Sequence, residues 1–184
     1  VQTGFGRTGN HFWAFEDQDV IPDIVIIGKP MANGHPMGAV ITSEKISTSF
    51  GEGVEFFSSF GGNPVSCEIA NSVLEIIDDE ELQSRAMEVG NYYKKELNKL
   101  KNDSCFIGDV RGKGLFLGIE IITLTGEANP ILAQEIKNGL RNRFILVGTD
   151  GEFNNVIKTK PPLCFNKQNV DQVVSEICKI LKKN

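Results

Sequence analysis

Apolar and polar positions alternate with two different rhythms along this chain. Up to about residue 77, short apolar runs stand between irregular, glycine-rich segments. Ile24 to Ile27 is a continuous apolar run bounded by Pro22-Asp23 and Gly28, which predicts a buried strand. Gly38 to Thr42 predicts a second strand, and Ile46 to Phe50 a short helix or turn. Asn63 is a good helix cap and Pro64 suits the first helical position. Val65, Ile69, Val73, Leu74, Ile76 and Ile77 then recur at helical spacing.

The second stretch is more regular. Glu80 to Leu100 reads as an amphipathic helix closed by Asn102-Asp103. Cys105 to Arg111 and Leu115 to Ile122 read as strands joined by the turn Gly112-Lys113-Gly114. Pro130 to Asn142 predicts a helix, and Phe144 to Gly148 and Asn155 to Lys160 predict strands around a Gly151 turn. Val170 to Lys183 closes the pattern as a helix, with Lys182 and Lys183 placed well for its dipole. Helices alternating with strand pairs predict a small α+β domain after about residue 80.

Composition narrows the class. The 184 residues suffice for a sizeable core in one or two domains, and 40% hydrophobic with 23% charged residues is ordinary for a globular protein. The formal net charge of -5 and the absence of a basic block argue against nucleic acid as a partner. Every apolar stretch is far short of a membrane span. The chain opens Val1-Gln2-Thr3-Gly4, without a charged start, an apolar core or an initiator Met. That reads as a fragment or a processed chain with no signal peptide. Cys67, Cys105, Cys164 and Cys178 form no C-x-x-C pair, and the sequence has two histidines, so no zinc site is expected. Reduced thiols packed as small hydrophobes in a cytoplasmic protein are the expectation.

Five segments carry candidate chemistry. Lys29 ends the first apolar run in Gly28-Lys29-Pro30. An amine at a strand terminus, if desolvated, becomes a neutral nucleophile suited to Schiff-base formation with a carbonyl or with pyridoxal phosphate. Gly4-Phe5-Gly6-Arg7-Thr8-Gly9 matches G-x-G-x-x-G in letters, but no strand precedes it and no helix opens inside it. It is therefore read as a place where the backbone lies close to something, such as a ligand, or as a plain turn. Ser58-Ser59-Phe60-Gly61-Gly62-Asn63-Pro64 places hydroxyls and glycines before a helix start, which is either an anion cradle or a connector with a cap. Arg111 suits a carboxylate partner or a turn clamp. Lys158 and Lys160 fall on one face of their strand, where they receive an acidic substrate or face solvent. His35 reads as a turn residue, and Phe12, Trp13 and Phe15 as core.

Taken in order, these segments resemble the class III pyridoxal-phosphate-dependent aminotransferases (fold type I). The matching pieces are Gly4 to Gly9, Pro22-Asp23-Ile24 with Gly28-Lys29, Gly34-His35-Pro36 and Phe60-Gly61-Gly62-Asn63-Pro64. Val110 to Leu115 with Gly118-Ile119-Glu120, and Lys160-Pro161-Pro162-Leu163, complete the set, so the resemblance covers the whole chain. It implies an α/β fold: the C-terminal part of a fold type I transferase, with residues 1–80 from the tail of the cofactor-binding large domain and 81–184 forming the small α+β domain. Lys29 matches the lysine that holds pyridoxal 5'-phosphate as a Schiff base and moves the proton at the substrate carbon. Ser59 matches a hydroxyl position, usually Thr, that reaches the cofactor phosphate of a neighbouring subunit. The family's sites are thus shared across a homodimer, and its substrates are small amines with keto acids or aldehydes. Lys158, and with it Arg111, would bind substrate.

Two departures qualify what the resemblance implies. The family's Asp-Glu pair, its aromatic partner of the cofactor ring and most of its phosphate loop precede the segment that begins at Val1, so this chain alone should lack transaminase activity. Lys158 stands where many members have an Arg that grips a substrate carboxylate with a fork that lysine cannot make. Lys158-Thr159-Lys160-Pro161-Pro162-Leu163-Cys164-Phe165 and Gly148-Thr149-Asp150-Gly151 are similar to the ethanolamine-phosphate and phosphohydroxylysine phospho-lyases of the alanine–glyoxylate aminotransferase 2 group. Transamination through Lys29 is the leading expectation, phospho-lyase activity the alternative, and a non-catalytic truncated piece the rival.

Overall fold

The computed structural model describes residues 2–53 and 55–183. Its fold is mixed α/β, with elements in the order β1 (Ile24–Ile27), β2 (Ala39–Thr42), α1 (Glu44–Gly51), α2 (Pro64–Asp79), α3 (Leu82–Asn102), β3 (Ile107–Lys113), β4 (Phe116–Ile121), α4 (Pro130–Arg141), β5 (Gly148–Asp150), β6 (Val156–Thr159) and α5 (Lys167–Leu181). β1 and β2 pair antiparallel as a two-stranded sheet, and β3-β4-β6-β5 form a second, wholly antiparallel sheet.

The second sheet owes its two faces to period-two alternation. Along β4, Leu117, Ile119 and Ile121 are buried, while Phe116, Gly118 and Glu120 are only partly covered. The buried set meets α3, α4 and α5, which present Tyr93, Leu97, Ile136, Leu140, Val170 and Ile177 to it. On α3 the buried residues Leu82, Ala86, Val89, Tyr93, Leu97 and Leu100 recur every three or four positions, one stripe of an amphipathic helix. Full burial of a side chain such as Ile119 stabilises by about 1.5–3 kcal/mol. A smaller cluster forms around Ile27, Met31 and Ala32, with Phe5, Trp13, Met37 and Ile69 packed against it. Trp13 stacks at 6.1 Å on Phe15 and meets Phe5 and Phe12 edge-on, so these rings pack together rather than forming an open platform.

Three expectations are corrected. Ile24 to Ile27 is a strand but not a buried one: Ile27 is covered, whereas Ile26 is 78% exposed and Ile24 is also exposed. A strand buried on both faces needs a layer on each, and among the described residues this sheet has only β2 beside β1. Phe144 to Val147 is not a strand. α4 ends with the Ile145 N–H returned to the Leu140 carbonyl, and Phe144 takes the left-handed conformation (φ 63). The helix's orphan carbonyl is satisfied by this turn, so β5 begins only at Gly148. The thiols are free, but Cys67, Cys105 and Cys164 are exposed instead of packed, and Cys178 is half-buried.

A glycine seam joins the two stretches. A Cβ on Gly9 would lie 2.8 Å from the backbone nitrogen of Met87 in α3, so at Gly9 the glycine-rich opening segment approaches the protein's own helix closely. Gly114, at the β3–β4 turn, sits between Gly90 of α3 and the Arg7-Thr8 backbone. The Leu115 N–H donates to the Arg7 carbonyl (3.0 Å), and Gln83 Nε2 donates to the Gly9 carbonyl (3.2 Å). Lys113 pairs with Asp17 at 3.0 Å, and Arg7 Nη1 donates to the Pro161 carbonyl. Arg7 is partly buried, and burial lowers its pKa.

Candidate cofactor and substrate site

Lys29 follows β1 directly and opens a short 3-10 turn, Lys29–Ala32. Its φ is 54, the left-handed region that favours glycine. A non-glycine residue held there stores roughly 1–2 kcal/mol of strain and persists where its surroundings fix it. The side chain is exposed, so the desolvation expected of a strand-end lysine is not present in this chain. No carboxylate pairs with the Lys29 amine among the described residues.

The loop after Lys29 is tied to α2. The His35 N–H donates to the Ala32 carbonyl (3.0 Å), and His35 Nε2 lies 2.7 Å from Ser66 Oγ in the first turn of α2. His35 therefore holds the turn, as its sequence context suggests. A cavity of about 530 Å³ opens between this loop and the segment before α2, lined by His35, Met37, Phe60, Gly61, Gly62 and Asn63. Ser59 is exposed immediately before it. Part of the donor set expected to cradle an anion is used internally. Ser58 Oγ accepts from the Gly61 N–H (3.1 Å), and Asn63 Oδ1 caps α2 through the Ser66 N–H (2.9 Å).

Arg111 and Lys158 lie elsewhere, on the polar face of the four-stranded sheet. Both are register partners of Gly118, Arg111 on β3 and Lys158 on β6, so the structure brings these two together. Arg111 donates to Glu120 (2.6 Å) on β4 and to Asp109 (3.1 Å) on its own strand. It clamps two strands rather than a turn. Those hydrogen bonds, first the one to Glu120 and then the one to Asp109, raise the Arg111 pKa. Lys158, half-buried, pairs with Asp150 of β5. Hydrogen bonding to Lys158 and to the Gly151 N–H holds the Asp150 carboxyl below its ordinary range, and Lys160 adds attraction from the same face. No hydrogen bond or ion pair joins Lys29 or Ser59 to Arg111 or Lys158 among the described residues.

Sequence reasoning did not assign a partner to either cation. The signal for Asp150 was present: β5 and β6 flank the Gly151 turn, and Asp150 opposes Val156, which puts Lys158 on its diagonal. Glu120 stands in the same diagonal relation to Arg111.

The class-III aminotransferase family model matches residues 1–181. The chain is 51% identical over 176 residues to an alanine–glyoxylate aminotransferase 2-like protein of Drosophila melanogaster, covering 94% of this chain and 36% of that protein. It is 40% identical to ethanolamine-phosphate phospho-lyase homolog 1 of Caenorhabditis elegans, covering 98% of this chain and 40% of the relative. Among solved structures, a phospholyase from Arthrobacter in complex with phosphoethanolamine superposes with a TM-score of 0.96 at 38% identity, over 100% of this chain and 44% of that one. This chain thus spans well under half the length of the relatives it matches, and with a family model covering nearly all of it, it belongs to the class III aminotransferases.

Proposed function

We propose that this chain supplies the cofactor lysine of a pyridoxal-phosphate enzyme acting on a primary amine, with transamination as the leading reaction. The observation that carries this reading is Lys29: an amine in no ion pair among the described residues, at a strand end, in a strained left-handed conformation. When bound, pyridoxal phosphate supplies an electron sink beside the amine carbon. Lys29 would hold the cofactor covalently and move the proton at that carbon. Ser59 offers a hydroxyl for the phosphate of a neighbouring copy in a homodimer, and Arg111 and Lys158 are cations for substrate. The reading treats residues 1–80 as part of a larger cofactor domain and 81–184 as the small domain. It places the enzyme in a reducing compartment such as the cytoplasm, although the human relative is named as mitochondrial. No described helix is long and apolar enough to cross a membrane.

A second reading, a phospho-lyase on a phosphorylated amine, is favoured by one observation. Lys158 is a point charge already engaged by Asp150, so it lacks the bidentate fork that grips a carboxylate.

The test of the first reading is incubation with pyridoxal phosphate, borohydride reduction and peptide mapping. A reduced adduct concentrated on Lys29 is expected. Labelling spread over surface lysines to the same extent in the Lys29→Ala variant would refute the assignment. An enzyme containing this chain that releases inorganic phosphate from phosphoethanolamine without a keto acid would establish the second reading. Dependence on an amino acceptor, with no phosphate released, would exclude it.

A further inference from the structure

The polar face of the four-stranded sheet holds one lysine in an unusual setting. Lys158 has glycines as both of its cross-strand neighbours, Gly118 on β4 and Gly148 on β5. The Gly118 side is closed, since a Cβ there would lie 3.0 Å from Val156 Cγ1 and 4.0 Å from Arg111 Cγ. The Gly148 side is open, with nothing within 4 Å of where a Cβ would stand. The ammonium is therefore approachable from the β5 edge, and Asp150 reaches it from there. Arg111 is committed to Glu120 and Asp109, which leaves Lys158 and Lys160 as the cations facing Asp150.

Asp150 ends β5 immediately before Gly151, which has φ +86. Its side chain is 56% exposed, while that of Lys158 is 25% exposed. The carboxylate is thus the partner more open to solvent and the one placed to leave. We propose that Asp150 is a resident, displaceable carboxylate that sets which anions the Lys158–Lys160 site accepts, favouring a phosphate monoester over a carboxylate. The proposal deepens the phospho-lyase reading, in which Lys158 is the cation for a phosphorylated substrate, and rests on it.

The selectivity follows from the exchange. A free monocarboxylate replaces Asp150 like for like: one charge and two oxygens leave, and one charge and two oxygens enter. The tethered group wins that competition because its effective concentration is high. A phosphate monoester brings close to two negative charges and three acceptor oxygens. It engages Lys158 and Lys160 together, which Asp150 alone does less fully, and so it displaces the tether. Asp150 is a positioning residue here, acting through the lysines.

The experiment uses the 184-residue chain with labelled lysines, followed by NMR during titration with methyl phosphate and, separately, acetate. The Lys158 signal is assigned by its loss in Lys158→Gln. In the wild type it should move with methyl phosphate and hardly with acetate. In Asp150→Asn, acetate should bind about fivefold more tightly, the scale of one partly exposed ion pair, and the phosphate-to-acetate preference should fall. Asp150→Glu should restore the preference, which a general loss of structure would not allow. Equal wild-type affinity for the two anions, no response to either, or an unchanged preference in Asp150→Asn would each overturn the proposal. Because anion binding is read without cofactor, these results stand apart from the fate of Lys29 in the reduction experiment.

Discussion

Gly90 lies inside α3, where alanine would ordinarily be the better residue. Replacing an interior helical glycine by alanine gains about 1 kcal/mol from backbone entropy and propensity. The structure opposes that gain. A Cβ at Gly90 would stand 2.3 Å from the Gly114 carbonyl carbon and 2.4 Å from its Cα. Backbone has to move by about 1 Å to restore ordinary contact. Gly114 has little room to retreat, because on its far side it meets the Arg7 carbonyl and Thr8. Overpacking of this kind costs about 3 kcal/mol when the neighbour cannot yield, so Gly90→Ala should destabilise by about 2 kcal/mol net. For a chain of this size that lowers Tm by roughly 4–8 °C. Urea and thermal unfolding measure it. Gly139→Ala in α4 is the control, since there the neighbour is the Cδ1 end of Ile180 at 2.7 Å, a flexible side chain. Gly139→Ala should be near neutral. If Gly90→Ala is as stable as the wild type, the close approach of α3 to the β3–β4 turn is wrong.

Asn63→Ala removes the cap of α2 and should cost about 1 kcal/mol in unfolding free energy; no change in the urea midpoint would mean that the cap is redundant. At Lys29, whose φ is 54, the glycine variant should be more stable than the alanine variant by about 1 kcal/mol, and the reverse order would refute the left-handed assignment. Ellman titration should show rapid reaction at Cys67, Cys105 and Cys164 and slow reaction at Cys178; fewer than three fast thiols would contradict the exposure. The carboxyls of Asp17, Glu88, Asp150 and Glu176 are held below their ordinary range chiefly by hydrogen bonds from Lys113, Lys167, Lys158 and Lys179, while at Asp109 burial is the largest effect but is outweighed by Arg111, the Val110 N–H and Lys101 together. A depressed carboxyl stabilises above its unfolded pKa and loses that contribution as pH falls through the folded one. The urea midpoint should therefore be flat between about pH 5 and pH 8, decline below about pH 4, and decline less in high salt. A midpoint that rises on acidification would contradict the pairing.

What the sequence revealed depended on how far each signal reached along the chain. The start of α2 was legible because cap, proline and first turn lie within four residues. The start of α5 was read at Val170 but lies at Lys167, because the reciprocal bonds between Asn166 and Asn169 (3.0 and 3.1 Å) use Asn where Glu or Gln is the recognisable partner. β4 was legible as a strand from its bounding turn, whereas the exposure of Ile26 depends on what covers the sheet, which no local pattern encodes. Lys29 and Ser59 were candidates from the strand end and from the glycine-rich helix start, each beside a plain structural reading, and only the resemblance gave them specific roles. Lys158 was recognised as a cation, but its engagement by Asp150 is a matter of strand register across a turn. Charge on a single strand does not reveal its neighbour.

Arg7 also constrains how this chain acquires its shape during synthesis. Its guanidinium partner, Pro161, lies 154 residues further on. At a translation rate of roughly 5–20 residues per second, the opening segment waits about 8–30 s for that partner to emerge. Throughout the interval, Ile24, Ile26 and Val40, which are exposed in this chain, offer an unsheltered strand pair. Nascent-chain holdases would be expected to occupy it until the carboxyl-terminal half has been made.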